Sequence, residues 1–512
     1  MTLSLEHLRR QAKQLKRAHE AGEAQAQARL ALHPPRDNPP FKHADYLHVI
    51  ALEQNFESWP KLKLAVETIG MDRAQKQQRL KVALFHGQNH VVQHLLADTP
   101  DLARGLLGLE IALYDLDAVR AALVRDPGAA TRDLGPRRPM LHLAFSRYFQ
   151  VRPDLTPQML AIAELLLAQG ADVNDAYLHE NDPNSPLSAL YGALGHAHNL
   201  VLAEWLLDHG ADPDDGESLY HSTELGHSDG LRLLLKHGAR VEGTNALPRA
   251  LDFNDHEAVE LLLAAGADPN EGIVQHASGE PPFVIPALHQ AARRMCDARM
   301  IALLLAAGAD PSLRYKGVTP YAMARVYGNA GAARLIAEAG GDTGLSPEET
   351  LLAQAADGPV PGARHLDPAR LPEEFRGLIR SVLHLPDRRG HVERLVTIGL
   401  EYDRPDAMGV TPVQISGWEG LPDLMAYFLG LKPDLDHVNN YGGTLLSTII
   451  HGSENCPARD QRDHIACARL ALEQGVALPR RAVEFAGEPG MADFLADWAA
   501  AKPGQVVDAG AG

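Results

Sequence analysis

LLLAQGADVN (residues 165–174), WLLDHGADPD (205–214), LLLAAGADPN (261–270) and LLLAAGADPS (303–312) are four copies of one phrase, and LLLKHGARVE (233–242) is a looser fifth. The phrase reads as a helix ending. Its leucines supply a buried stripe over the last turns, and its glycine falls where a helix closes with left-handed backbone angles that only Gly adopts without penalty. The Asp-Pro or Asp-Val-Asn that follows suits a tight turn, because Asp bonds its own neighbouring backbone and Pro presets its angle. Gly170, Gly210, Gly238, Gly266 and Gly308 lie 40, 28, 28 and 42 residues apart, so the chain is a repeat array with insertions.

A second, shorter helical stretch precedes each stop: LSALYGAL (187–194), LYHSTEL (219–225), LPRALDF (247–253), LHQAAR (288–293) and YAMARVY (321–327). This pairing resembles ankyrin repeats, whose first helix opens with T-P-L-H-x-A and whose second ends in L-L-x-x-G-A-D. Thr319-Pro320-Tyr321-Ala322-Met323-Ala324 keeps the Thr-Pro opening and the final Ala but not the His, while Pro286-Ala287-Leu288-His289-Gln290-Ala291 and Pro139-Met140-Leu141-His142-Leu143-Ala144 keep Leu-His. For His142 and His289 the resemblance implies imidazoles bonded between neighbouring repeats.

Amphipathic runs at 91–103 and 119–130, with Pro100 and Pro127 at the stop, and units opening at Thr411 and Thr444 extend the array. About ten to twelve helix pairs are expected between residues 74 and 500. The fold class is thus an all-α, ankyrin-type helical-repeat solenoid with irregular repeat lengths and a small N-terminal helical region. Its expected divisions are an N-terminal helical region at 1–70, an ankyrin array at 71–345, degenerate ankyrin-like repeats at 346–502 and a disordered tail at 503–512.

The N-terminal region differs in kind. Residues 4–32 form one helix-permissive run with no Pro and a single Gly22, in which Leu5, Leu8, Ala12, Leu15 and Ala18 recur at helical spacing. Pro pairs at 34–35 and 39–40 break the chain before a second expected helix at 43–54. FESWPKLK (56–63) looks like an element that precedes ankyrin arrays in some bacterial proteins, and Ser58 suits a helix N-cap with Pro60 in the first turn.

Aromatics make up only 5% of the chain and apolar residues 45%, so the core is built from Leu and Ala. No run of about 18 uncharged apolar residues exists, and the first residues lack an apolar signal core, so neither a membrane span nor a secretion signal is expected. Cys296, Cys456 and Cys467 are few and odd in number, as suits the reducing cytoplasm.

The net charge is −18, yet residues 1–81 hold 14 Lys and Arg against 9 Asp and Glu, a net of +5 that leaves −23 for the rest. Acidic residues gather after the stops: Asp172 and Asp175; Asp212, Asp214, Asp215 and Glu217; Asp268 and Glu271; Asp310. Turn chemistry alone accounts for most of them. Lined along one edge they would also steer a partner with a basic surface, and they disfavour nucleic acid, whose phosphates need clustered Lys and Arg.

No G-x-S-x-G, G-x-x-x-x-G-K-[ST], G-x-G-x-x-G or H-E-x-x-H motif occurs, so neither an enzyme nor a cofactor is expected. Among 25 histidines, His451 and His464 join Cys456 and Cys467 as the most metal-like set. Zinc would need all four to converge tetrahedrally, which would make the chain a metal-dependent enzyme or zinc-stabilised factor. The plainer reading buries Cys467 in a helix core and leaves the histidines exposed. His196 and His198 fall in the turn between two helices of one repeat.

The expected activity is protein–protein interaction, on the concave face and insertion loops of the array. DAYLHENDPNS (175–185) and EGIVQHASGEPPFVIP (271–286) are the longest inserts, and the second holds apolar Ile273, Val274, Phe283, Val284 and Ile285. Spacings of 28 leave no room for projecting fingers. The 59-residue gap between Gly340 and Gly399 contains the Pro-rich stretch 357–372, either a linker between sub-arrays or one unit with a long loop. Tyr177, Tyr191, Tyr220, Phe253 and Phe283 are candidate partner anchors, because aromatics dominate binding hot spots.

Overall fold

The computed structural model describes residues 4–34, 41, 43–179, 182–272, 284–362 and 365–508. The chain forms two compact units, Met1–Ile285 and Pro286–Gly512.

The first unit opens with helices Leu5–Glu20, Ala24–Leu32, His43–Glu53 and Trp59–Thr68. The run at 4–32 is two helices rather than one, because the chain turns at Gly22 with φ of 76°. Leu8, Ala12 and Leu15 are buried in one core with Leu47, Ile50 and Leu62, so the apolar stripe of the basic helix is spent inside the protein. Arg29 forks onto Glu53 with both contacts at 2.7 Å. Ser58 stands at the N-cap position with Pro60 in the first turn, but its hydroxyl makes no capping bond.

Six helix pairs follow in the described part of this unit. They are Arg73–His86 with Asn89–Asp98, Leu107–Ala112 with Leu116–Arg125, Pro139–Ala144 with Thr156–Ala168, Ala189–Tyr191 with Leu200–Asp208, Ser218–Ser222 with Asp229–Lys236, and Ala246–Asp252 with His256–Ala264. Ala189–Tyr191 runs on into a wide turn, Gly192–His196. The second unit repeats the theme. Its pairs are Ala287–Arg293 with Ala298–Ala306, Pro320–Tyr327 with Ala330–Glu338, Pro347–Asp357 with Arg389–Thr397, Pro412–Trp418 with Pro422–Gly430, Leu445–Asn455 with His464–Glu473, and Arg480–Phe485 with Pro489–Ala501.

The repeated phrase closes helices as its composition demands. Gly170, Gly210, Gly238, Gly266 and Gly308 have φ between 86° and 99°. The next residue's N–H then bonds back five positions, as in Ala171 to Leu166 O at 3.0 Å and Ala267 to Leu262 O at 3.0 Å, capping carbonyls the helix leaves open. These alanines are buried, which is why the position is small. Asp172, Asp212, Asp268 and Asp310 each accept from the backbone N–H two residues on at 2.8–2.9 Å. Turn chemistry thus accounts for these acids.

The insert at 175–185 forms an antiparallel hairpin, Ala176–His179 with Asp182–Ser188, in which Tyr177 faces Leu187. It falls in the 40-residue spacing. The 28-residue spacings carry only turns between Asp208 and Ser218 and between Lys236 and Ala246. In the other insert Val284 and Ile285 are buried, whereas Ile273, Val274 and Phe283 lie outside the described residues.

Of the two readings of the stretch around 357–372, the contacts favour one unit with a long loop: Pro347–Asp357 packs on Arg389–Thr397, Leu366 N–H bonds Ile398 O at 2.7 Å, and Leu366 and Leu371 are buried. The tail expected to be disordered is ordered through residue 508, because Val506–Val507 pairs in parallel with Leu478–Pro479 and Gln505 Nε2 donates to Leu472 O and Val476 O at 2.7 and 2.8 Å. Among the described residues no helix is long and apolar enough to cross a membrane.

Candidate partner-binding site

Arg137, on the loop leading into Pro139–Ala144, is enclosed by rings from three elements. Its guanidinium lies 4.4 Å from the Phe85 centroid, 4.8 Å from Phe145 and 4.4 Å from Tyr177, and Nη2 donates to the Tyr177 hydroxyl at 2.8 Å. Arginine suits this place because a weakly hydrated planar cation stacks on aromatic faces. Phe145 also meets Tyr191 and His196 at 6.1 and 5.2 Å. A side chain at residue 192 would stand 2.5 Å from the Phe145 ring, so only Gly192 lets the ring close in.

A second cluster lies on the next two first helices. Arg249 sits 5.5 Å from Tyr220 and 4.8 Å from Phe253, and is held by Glu224 at 2.6 and 2.8 Å and by Asp252 at 2.8 Å. His221 bridges Glu224 at 2.7 Å and Glu217 at 3.2 Å. Burial opposes its charge, but the two carboxylates outweigh burial and hold the imidazole up at about 9. Burial, with Glu217 and Glu224 nearby, pushes the Tyr191 hydroxyl up to about 12. His221 and Tyr191, 4.9 Å apart, link the two clusters.

Four of the five expected anchors therefore fall on one strip. Tyr177 and Tyr191 belong to the Arg137 cluster, Tyr220 and Phe253 to the Arg249 cluster, and Phe253 stays 53% exposed. Phe283 lies outside the described residues. The bridging arginines were not legible, since nothing local in the sequence marks Arg137 or Arg249 as facing rings from other repeats.

A family model described as ankyrin repeats (3 copies) matches residues 190–273, the stretch that carries Tyr191, Tyr220 and Phe253. This stretch of the chain is built of ankyrin repeats. No curated protein matches it. Among solved structures, an ankyrin repeat domain from Acinetobacter baumannii AYE is 25% identical over 40% of this chain and 98% of its own, with a TM-score of 0.31. The human ASB11 ankyrin repeat domain is 18% identical over 49% and 96%, with a TM-score of 0.25. Ankyrin repeats are generally protein–protein interaction modules, and the fold is typically non-enzymatic.

The ankyrin Leu-His positions behave differently from each other. His289 Nε2 lies 2.9 Å from Val318 O at the entry to the next repeat, the inter-repeat bond the family implies, and burial pushes this imidazole down to about 4. His142 Nε2 instead bonds Leu134 O at 3.1 Å, in the loop entering its own repeat. His196 is no simple turn residue either, because it reaches Phe85 O at 2.8 Å. Among the described residues no three His, Cys, Asp or Glu side chains are placed to hold a metal ion, so His451, Cys456, His464 and Cys467 do not assemble a zinc site. Each is otherwise engaged or enclosed. His451 is exposed and bonds Asn455 at 3.0 Å, buried His464 bonds Trp418 O at 2.8 Å, and Cys456 and Cys467 are buried, with desolvation pushing the Cys467 thiol up to about 12.

Proposed function

We propose that this chain binds a protein partner bearing a basic surface through the strip of aromatics from Tyr177 to Phe253. The observation that carries the reading is the joining of Tyr177, Tyr191, Tyr220 and Phe253 into two linked ring–guanidinium clusters. Rings held by neighbouring arginines lose little freedom on docking, and Tyr and Arg dominate hot spots. The charge supports a basic partner: residues 186–272 hold 15 Asp and Glu against 4 Lys and Arg, a net of −11. The same field repels nucleic acid and anionic membrane surfaces. The reading assigns no catalysis and no cofactor. Cys296, Cys456 and Cys467 are joined by no disulfide, which supports the reducing cytoplasm as its setting.

Affinity capture by the full chain, quantified by mass spectrometry against the Tyr220→Ala/Phe253→Ala chain, tests the proposal. Partners retained by the wild type are expected to fall about tenfold or more with the variant, in line with losing two hot-spot anchors. They should also wash off as salt rises. A capture profile unchanged by the double substitution in a folded chain overturns it.

A further inference from the structure

Between the first helices Arg73–His86 and Leu107–Ala112, the stack of the first unit opens into a cavity of about 840 Å³. That volume lies within the range of small-molecule sites, roughly 300–1,000 Å³. Phe85, Leu109 and Phe145 give it apolar walls, while Lys81, Arg125, Arg132 and Arg137 also line it. Four cations face one carboxylate there, Asp126, which is taken up by Arg132.

The other three cations have no such partner. Among the described residues no carboxylate pairs with Lys81, Arg125 or Arg137, and Arg137 Nε is buried with no hydrogen-bond partner while Nη2 is held by Tyr177. Buried donors of this kind cost free energy unless something accepts from them. The imbalance is local. Residues 73–147 carry 11 Lys and Arg against 7 Asp and Glu, although the whole chain is at −18. Acids are abundant in this protein, yet this cavity is nearly without them.

We propose that the cavity binds an amphipathic anion, with one carboxylate, sulfonate or phosphate group at the Lys81–Arg125–Arg137 rim and an apolar body against Phe85, Leu109 and Phe145. Guanidinium groups grip such oxyanions in forked, charge-assisted bonds, and the apolar walls take the ligand's body out of water. This ligand site goes beyond the protein-binding reading: it shares Arg137 and Phe145 with that strip, but Tyr220 and Phe253 take no part in the cavity and Lys81 and Arg125 none in the strip, so the two readings fail separately.

Calorimetric titration of the full chain with dodecanoate and with 1-anilinonaphthalene-8-sulfonate tests the site, with dodecyltrimethylammonium as the cation of equal chain length. The expected result is one site for which the two anions compete, with the cation at least about tenfold weaker, a discrimination that corresponds to one close unpaired charge contact. Lys81→Glu/Arg125→Glu alters two exposed side chains and should weaken both anions about tenfold or more, with the circular dichroism and melting temperature unchanged. Equal binding of the cation, equal binding by the folded double variant, or no anion binding at millimolar concentration overturns the proposal.

Discussion

His196 Nε2 lies 2.8 Å from the carbonyl oxygen of Phe85, 111 residues away in sequence. A carbonyl only accepts, so Nε2 carries the proton, and the ring also lies 4.2 Å from the Phe85 ring. Two helix pairs, Leu107–Ala112 with Leu116–Arg125 and Pro139–Ala144 with Thr156–Ala168, separate these residues along the chain. The bond therefore clasps the fourth pair to the first, a contact beyond nearest neighbours in an architecture that ordinarily lacks one.

Replacing His196 by Ala removes that clasp. The expected loss is about 1–3 kcal/mol, from one buried hydrogen bond and an orphaned carbonyl, read as a lower urea midpoint. Burial and the nearby arginines push His196 down to about 4, so the neutral clasp contributes fully above the ordinary imidazole value and weakens as pH falls towards 4. A midpoint unchanged by the substitution at pH 7.5 would refute the clasp.

His289 and His391 make the second unit acid-sensitive. Both are held down to about 4, chiefly by burial, and both His391 nitrogens are buried without a hydrogen-bond partner. The unfolded chain takes up these protons below about 6.5, so stability is full above that pH and declines towards pH 4, by up to roughly 3 kcal/mol per group. His391→Leu should raise stability by about 1–3 kcal/mol and lower the acid unfolding midpoint, because it removes an unpaired buried polar ring. Acid titrations of the two chains decide this, and coincident curves would count against it.

Two glycines should fail for different reasons. Gly266 has φ of 99° and open space around it, so Gly266→Ala costs only backbone strain, about 1–2 kcal/mol. At Gly192 an added methyl would press on the Phe145 ring, costing about 1–3 kcal/mol by overpacking. Only the Gly192 variant should alter the near-ultraviolet circular dichroism, since only it displaces an aromatic cluster.

The thiols should be silent in the native state. Cys296, Cys456 and Cys467 are buried and joined by no disulfide, and desolvation raises the Cys456 and Cys467 thiols above their ordinary value. A thiol-exchange reagent at pH 8 is expected to label none of the three on the minutes scale and all three after denaturation. Prompt native labelling would contradict the burial.

Much of the array was legible because its signals are local. A glycine with left-handed angles, an Asx turn and a leucine stripe each act within a few residues, so 170, 210, 238, 266 and 308 could be read as helix ends. The candidate anchors Tyr177, Tyr191, Tyr220 and Phe253 were legible only as aromatic residues, and the choice between a metal set and the plainer reading at His451, Cys456, His464 and Cys467 stayed open because ligand types and spacing say nothing about convergence.

The sequence by itself determined the repeat, its helix stops and the place of the hairpin insert, since each follows from backbone preference and periodicity. Tertiary structure alone decided that Arg137 and Arg249 bind rings from other repeats, that His196 reaches Phe85, that residues 503–508 fold back, and that the first helices part around a cationic cavity. Those outcomes depend on which side chains the stacking brings within a few ångströms, and side chains tens of residues apart leave no mark of that meeting in the local pattern.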